Sequence, residues 1–379
     1  MKLRLKRECR EAKAYSYYDR RKTVKVKECV CNELYQELKS FTDEPYMKDA
    51  EGSSFLITGG SGFIAYYIVM ALLLLNDEQN RRNKITIMVR SEKKAAEKYG
   101  ELLERSDISV MLHDVCMPLD TDTQRFDYII HAAGAAAAAQ FEEDPIGVFS
   151  SNVVGSSNLI DFIRKNECRS MVYMSSFTVY GNIADDACIV DENYTGADDW
   201  RTNRCSYSLG KRSSEFLCMA AVRKFGCPIK IVRPGFVYGA SSPNDMRVYS
   251  EIIRNVAEGR PIVLRSSGLL FRSMIYVTDV VRGIFAALFN GTDGEAYNIA
   301  NEFVSIREFA QIACECSPSK DAHIVFADPN DAGKKTEHTP VGQMSSEKLR
   351  GCGWKPLVPI NSGIKTAAKI YSYTYGTLA

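Results

Sequence analysis

The segment Phe55-Leu-Ile-Thr-Gly-Gly-Ser-Gly-Phe-Ile-Ala65 constrains this chain more than any other. Phe55 to Thr58 is a short apolar run of the kind that fills a buried parallel strand. Gly59 permits a sharp turn, and Gly62 has no side chain to hold an anion away from the backbone. From Phe63 to Leu75 the residues suit a helix, whose first free N–H groups point at the same spot. The small Ala65 lets that helix lie close to the strand. A strand, glycine turn and helix in this order commit the region to a βαβ unit. Taken alone, the turn is equally compatible with a structural connection that binds nothing.

Beyond Ser54 the pattern alternates. Strands are expected at 55–58, 85–89, 108–112, 127–131, 170–174 and 229–233, with helices near 63–75, 92–104, 145–165 and 206–225. Such alternation gives an α/β fold with a doubly wound parallel sheet. The last third is less regular, with strands at 262–265, 274–277, 296–299 and 323–326 and helices at 247–258, 279–290 and 305–316. We read residues 51–240 as a Rossmann-type domain. Residues 241–379 read mainly as a smaller C-terminal substrate lobe with a return to the first domain near 270–290. Residues 1–50 carry 13 Lys/Arg and 9 Asp/Glu and form an extension, with an amphipathic helix expected from Val26 to Phe41. The run Ala135–Ala139 suits either a close approach of a cofactor or a tolerant loop.

Composition narrows the function. Net charge is +1, which argues against nucleic acid as a partner. The twelve cysteines show no zinc-like spacing, their short pairs being Cys29/Cys31 and Cys314/Cys316, and the four histidines are scattered, so no metal is expected. The cysteines read as reduced thiols of a cytoplasmic protein. The longest apolar run is too short to span a bilayer, so no membrane segment is expected.

Tyr207 and Lys211 stand four residues apart on an expected helix and share a face. A free phenol, with a pKa near 10, is a poor base at neutral pH. A nearby ammonium, joined by the positive charge of an oxidised nicotinamide, would stabilise the phenolate and lower that pKa. A hydroxyl from Ser176 would hold the substrate oxygen. Such a set removes a proton from an alcohol while hydride leaves its carbon.

Seven segments in this order resemble one family. They are Thr58-Gly-Gly-Ser-Gly-Phe-Ile64, His131-Ala-Ala133, Asn152-Val-Val-Gly155, Ser175-Ser-Phe-Thr-Val-Tyr-Gly181, Tyr207-Ser-Leu-Gly-Lys211, Arg233-Pro-Gly-Phe-Val-Tyr-Gly239 and Tyr297-Asn-Ile299. Over residues 50 to 360 the chain is similar to the extended short-chain dehydrogenases/reductases, in their nucleotide-sugar epimerase/dehydratase branch. The resemblance implies NAD(P) in the Rossmann domain and a nucleoside-diphosphate sugar in the C-terminal lobe, in the service of polysaccharide synthesis. It makes Ser176, Tyr207 and Lys211 the catalytic set. It places Gly59, Gly62, Phe63, Ile64, Ala132, Ala133 and Pro234 about the cofactor, with Asp114 and Val115 bordering the adenine. Thr178, Tyr238 and Arg272 face the substrate, Arg272 gripping its diphosphate through a bidentate guanidinium. Relatives pair through the helices here at 145–165 and 206–225, so a homodimer is expected.

Two departures shape the expected reaction. Sugar 4,6-dehydratases of this family carry Asp-Glu after the catalytic serine, and nucleotide-sugar decarboxylases usually carry a glutamate at the second of those positions. This chain has Phe177 and Thr178, which cannot act as carboxylate acids or bases. That favours oxidation and reduction at C4, as in a 4-epimerase. A ketoreductase, a decarboxylase or a non-catalytic dinucleotide-binding regulator is the alternative. The second departure is Arg90, followed by Lys93 and Lys94, where NAD-preferring members place an aspartate for the ribose. A 2′-phosphate is accommodated there, so NADP is slightly favoured over NAD.

Overall fold

The computed structural model describes residues 24–134, 138–183, 188–203, 205–317, 322–327 and 342–376. Residues 1–23 of the expected extension, and the alanine run as far as Ala137, lie outside them. Seven strands build the central sheet: β1 (Ser54–Thr58), β2 (Lys84–Val89), β3 (Ile108–Leu112), β4 (Tyr128–His131), β5 (Ser170–Met174), β6 (Ile229–Pro234) and β7 (Ala296–Ile299). All pair in parallel in the order β7-β6-β5-β4-β1-β2-β3. Helices cover both faces, so β1, β4, β5 and β6 are buried along nearly their whole length rather than at alternate residues. The strand order reverses between β1 and β4. A crevice therefore opens at their C-terminal ends, where ligands of this architecture bind.

The first crossover helix, Phe63–Gln79, is buried without a break from Tyr67 to Leu75. A helix apolar all round needs cover on every side. The sheet supplies one side, and the N-terminal segment supplies another. That segment is not the single helix expected from Val26 to Phe41. It forms Val26–Cys29 and Asn32–Thr42, broken where Val30 and Cys31 become extended. The break lets Val26 N–H donate to Asp77 Oδ2 (2.8 Å) while Tyr35 Oη donates to Glu78 Oε1 (2.9 Å). One straight helix could not reach both.

The chain leaves the sheet after β6 to build the second lobe. Helices Val248–Ala257, Ile306–Cys316 and Ile360–Tyr375 lie together there. A small sheet joins Phe236–Tyr238, Phe271–Tyr276 and Glu302–Ser305. Helix Val277–Asn290 and β7 carry the chain back to the central sheet. Among the described residues no helix is long and apolar enough to cross a membrane.

A buried cluster of charges fastens the N-terminal segment to helix Val277–Asn290. Arg282 reaches Asp279 (3.0 Å), Glu44 (3.4 Å) and the Ser40 hydroxyl, and Tyr276 Oη donates to Glu37 Oε2 (3.0 Å). Burial pushes the Glu37 carboxyl up to about 8; Asp279 adds to the rise, and Tyr276 and Arg282 oppose it. The folded state then holds a proton that the unfolded chain has released, so stability falls as pH rises from about 5 to about 8. Glu37→Gln keeps an acceptor for Tyr276 and removes that slope. The gap in urea midpoint between the variant and the wild type should widen in the variant's favour across this range. A gap independent of pH would exclude a protonated Glu37.

Candidate functional site

The glycine turn after β1 is dictated by crowding. Gly59 has φ +67°, and a Cβ there would lie 2.8 Å from Ala133 Cα and 2.9 Å from Ala133 N. Only glycine meets both conditions. A Cβ at Gly60 would lie 2.7 Å from Ile87 Cβ. Gly62 is the exposed N-cap of helix Phe63–Gln79, and no side chain caps that end. Its first-turn N–H groups therefore face the crevice unclaimed by any capping side chain, a cradle that fits a dinucleotide pyrophosphate. The Phe63 ring lies edge-on to Tyr67 and under Arg247.

The end of β4 is tied to β1. Ala133 N–H donates to Thr58 Oγ1 (3.0 Å), which lies 2.8 Å from His131 Nδ1, and His131 Nε2 is 3.2 Å from Ser156 Oγ. Burial pushes His131 down to about 3, with the Lys211 charge adding to the effect, so the ring is neutral and structural. On the other side of β1, Arg90 is exposed at the end of β2 and acts electrostatically on Cys116. Asp114 Oδ1 accepts from Cys116 N–H (2.9 Å), and Val115 is buried against Gly155. Lys93 and Lys94 do not turn inward. Lys93 is 86% exposed beside Glu97, and Lys94 is also exposed.

Beyond β5 the chain caps a short turn with Ser176, whose Oγ accepts from Thr178 N–H (3.3 Å). Helix Cys205–Phe225 brings Tyr207 and Lys211 to the same cavity wall. Lys211 Nζ donates to Met174 O (2.7 Å) and lies 5.7 Å from the centroid of the Tyr207 ring. Burial pushes Lys211 down to about 7, with Glu215 opposing the shift. The sequence expectation of a lowered Tyr207 pKa includes the charge of an oxidised nicotinamide, and the protein's own groups act the other way. Burial pushes it up to about 12, and the hydrogen bond it shares with Ser176 offsets only part of that. The desolvation of the phenolate outweighs its neighbours. Two partners were not foreseen. Phe141 stacks on Tyr207 at 5.1 Å, and the buried Asn152 Oδ1 has no hydrogen-bond partner and flanks Gly134 opposite Lys211 Nζ. Asn152 belonged to a segment already singled out, whereas nothing local marks Phe141.

Phe141, Ser176, Tyr207 and Lys211 share one cavity of about 600 Å³ that runs from Ile64, Ala132 and Pro234 into the second lobe, whereas Asn152, Gly59, Gly62, Ala133, Arg90, Asp114 and Val115 are not part of its lining. Arg272 lines it and lies 4.8 Å over the Phe236 ring. Arg247, Tyr249 and Arg265 also line it and were missed, because no motif surrounds them. Thr178 borders the cavity, but its hydroxyl is occluded and has no partner. Tyr238 is a correction. It is fully buried between Tyr276 and Phe309, and a Cβ at Gly363 would lie 2.6 Å from its hydroxyl, so helix Ile360–Tyr375 shuts it off from substrate. A larger groove of about 810 Å³, near Cys31, Lys369 and Tyr373, contains none of the residues expected to carry chemistry. No cluster of metal-ligating side chains occurs among the described residues.

A sequence pattern described as the NAD dependent epimerase/dehydratase family matches residues 55–300. The chain belongs to this family. Among its relatives, UDP-glucuronic acid decarboxylase 1 of Danio rerio is 26% identical over 347 residues, covering 90% of this chain and 79% of the relative. The dTDP-D-glucose 4,6-dehydratase of Homo sapiens is 26% identical over 329 residues, covering 83% and 89%. The fold matches that of UDP-glucuronic acid 4-epimerase from Bacillus cereus, solved with UDP-glucuronic acid and NAD. The TM-score is 0.70 at 22% identity, over 85% of this chain and 100% of that one.

Lys211 is a buried amine whose charged form is disfavoured. The unfolded chain keeps the Lys211 proton up to about 10.5, and the folded chain releases it near 7. Stability supplied by this group therefore rises with pH between those values. Wild type should gain on Lys211→Met in urea midpoint as pH is raised from about 7 to about 9.5. Parallel stability curves would show that Lys211 stays charged.

Proposed function

We propose that this chain oxidises and reduces C4 of a nucleotide-linked sugar with a nicotinamide cofactor, as a 4-epimerase. The observation that carries this reading is the convergence of Ser176, Tyr207 and Lys211 in one cavity with Ile64, from the first turn of the helix that follows the glycine turn, and with Phe177 and Thr178 where dehydratases hold carboxylates. Gly59, Gly62, Ile64, Ala132, Ala133 and Pro234 are read as holding the dinucleotide, with Asp114 and Val115 toward its adenine. When bound, the nicotinamide supplies the hydride acceptor and a positive charge near the phenol. Ser176 holds the C4 oxygen, Tyr207 takes and returns its proton, and Lys211 offsets the charge of the phenolate. Arg272 grips the diphosphate, and the roomy cavity lets the C4 ketone present either face. Exposed Ile146, Phe149, Val154 and Phe216 on helices Pro145–Lys165 and Cys205–Phe225 support a homodimer through those helices.

Incubation with UDP-, dTDP-, GDP- and CDP-sugars, read by mass spectrometry and NMR, tests the reading. A C4 epimer is expected. A 4-keto-6-deoxy product from a nucleotide hexose would overturn it. Tyr207→Phe should bind cofactor as wild type does and lose roughly two or more decades of turnover.

Arg90 offers a 2′-phosphate a cation and no opposing carboxylate, which favours NADP. Calorimetric titration should then show about tenfold tighter binding of NADP than of NAD, near 1.4 kcal/mol, lost in Arg90→Ala. Equal affinities would remove Arg90 from cofactor choice.

A further inference from the structure

The cavity wall next to Ser176 is aromatic. Phe177 and Phe236 lie with ring centroids 4.2 Å apart, and both line the cavity. The polar groups around them are committed or hidden: Arg272, 4.8 Å over the Phe236 ring, is the group read as gripping the diphosphate, and the Tyr249 hydroxyl, on a ring edge-on to Phe236, accepts from Arg247 (3.2 Å). Thr178 N–H donates to Ser176 Oγ, and Gly235 N–H donates to Ile299 O (3.0 Å). The hydroxyls of Ser175 and Thr178 are both occluded. A substrate group pressed on this wall beside Phe177 meets phenyl carbon and no uncommitted side-chain hydroxyl.

The chemistry of a pyranose decides which group that is. If C4 lies at Ser176 and Tyr207 and the C1 diphosphate lies at Arg272, one edge of the ring runs along the wall between them. The C2–C3 edge carries two hydrogen-bonding substituents, and both would lose water there without gaining a partner. The C5 edge carries only the ring oxygen and whatever stands at C6. We propose, resting on the C4 oxidoreductase reading, that the C5 edge faces Phe177 and Phe236 and that the substrate is a nucleotide-linked sugar with no oxygen on C6. A 6-deoxyhexose places a methyl group against the rings, and a pentose places none. A C6 hydroxyl or carboxylate would be desolvated there without a partner. The enzyme would then act after a reaction that strips the C6 oxygen from a hexose, either by loss of water or by loss of the C6 carboxylate.

The test uses the full chain with nicotinamide cofactor and matched UDP- and dTDP-sugars that differ only at C6: 6-deoxyglucose, xylose, glucose and glucuronic acid. Formation of the C4 epimer is followed by NMR. The 6-deoxy and pentose substrates should exceed the hexose in kcat/KM by about tenfold or more, and the uronic acid by more still. Phe177→Ser should bring the ratio toward unity, and Phe236→Ser provides the same measurement at the second ring. Unchanged cofactor affinity in each variant certifies its fold. Turnover without discrimination at C6, preference for the hexose, or a ratio unmoved in both variants overturns the inference and leaves C4 chemistry standing. Cofactor binding with no turnover of any sugar overturns the C4 reading, and this inference falls with it.

Discussion

The close approach of Gly59 to Ala133 is the contact on which the rest of the structure depends. It is the point where the two strands flanking the reversal of the sheet meet, and no Cβ fits between them. The Thr58 hydroxyl, set between His131 and the Ala133 N–H, locks the same junction from within. Burial keeps His131 neutral, so the lock carries no charge that water would need to solvate. Every element of the site is positioned from this junction. The helix N-terminus begins three residues after Gly59, and Ala132 forms part of the cavity wall.

The proton chemistry is held away from its resting values by the same burial. A phenol near 12 and an amine near 7 are an acid too weak and a cation too strained for ordinary solution. Both deviations have one cause, the desolvation of a charge. A positive charge brought in with a ligand would shift the phenol toward ionisation, so the pair is sensitive to what occupies the crevice. Glu215, which opposes the fall of Lys211, is itself held by Arg233 (2.6 Å) from β6. The supporting charges thus come from a strand and a helix rather than from loops.

Much of this was legible in the sequence because the signals were local. The glycine turn, the Tyr207/Lys211 spacing and the helix at 145–165 follow from residues adjacent in the chain or one turn apart, and the structure reproduces these elements. Features that depend on distant partners were not legible. The three-residue strand Phe236–Tyr238 has too few positions to show alternation, and it exists because Phe271–Tyr276 lies beside it. Tyr238 sits in a segment that resembles a binding motif, yet its burial is decided by Gly363, more than a hundred residues away. The protein's own upward push on the Tyr207 pKa was hidden for a similar reason. A spacing argument counts neighbouring charges and cannot weigh desolvation, which is a property of the assembled interior.

The cover over helix Phe63–Gln79 bears on how such a chain can be made. Residues 24–50 are synthesised before the surfaces that receive them. Asp77 and Glu78, which anchor Val26 and Tyr35, follow by about fifty residues, and Arg282, whose guanidinium meets the backbone carbonyl of Glu37, follows by 245. Closing contacts over such separations is slow. During synthesis on the ribosome the segment can meet helix Phe63–Gln79 early, but its contacts with helix Val277–Asn290 wait until most of the chain has emerged. A segment made early thus has its docking surface completed only when Arg282, far along the chain, is in place.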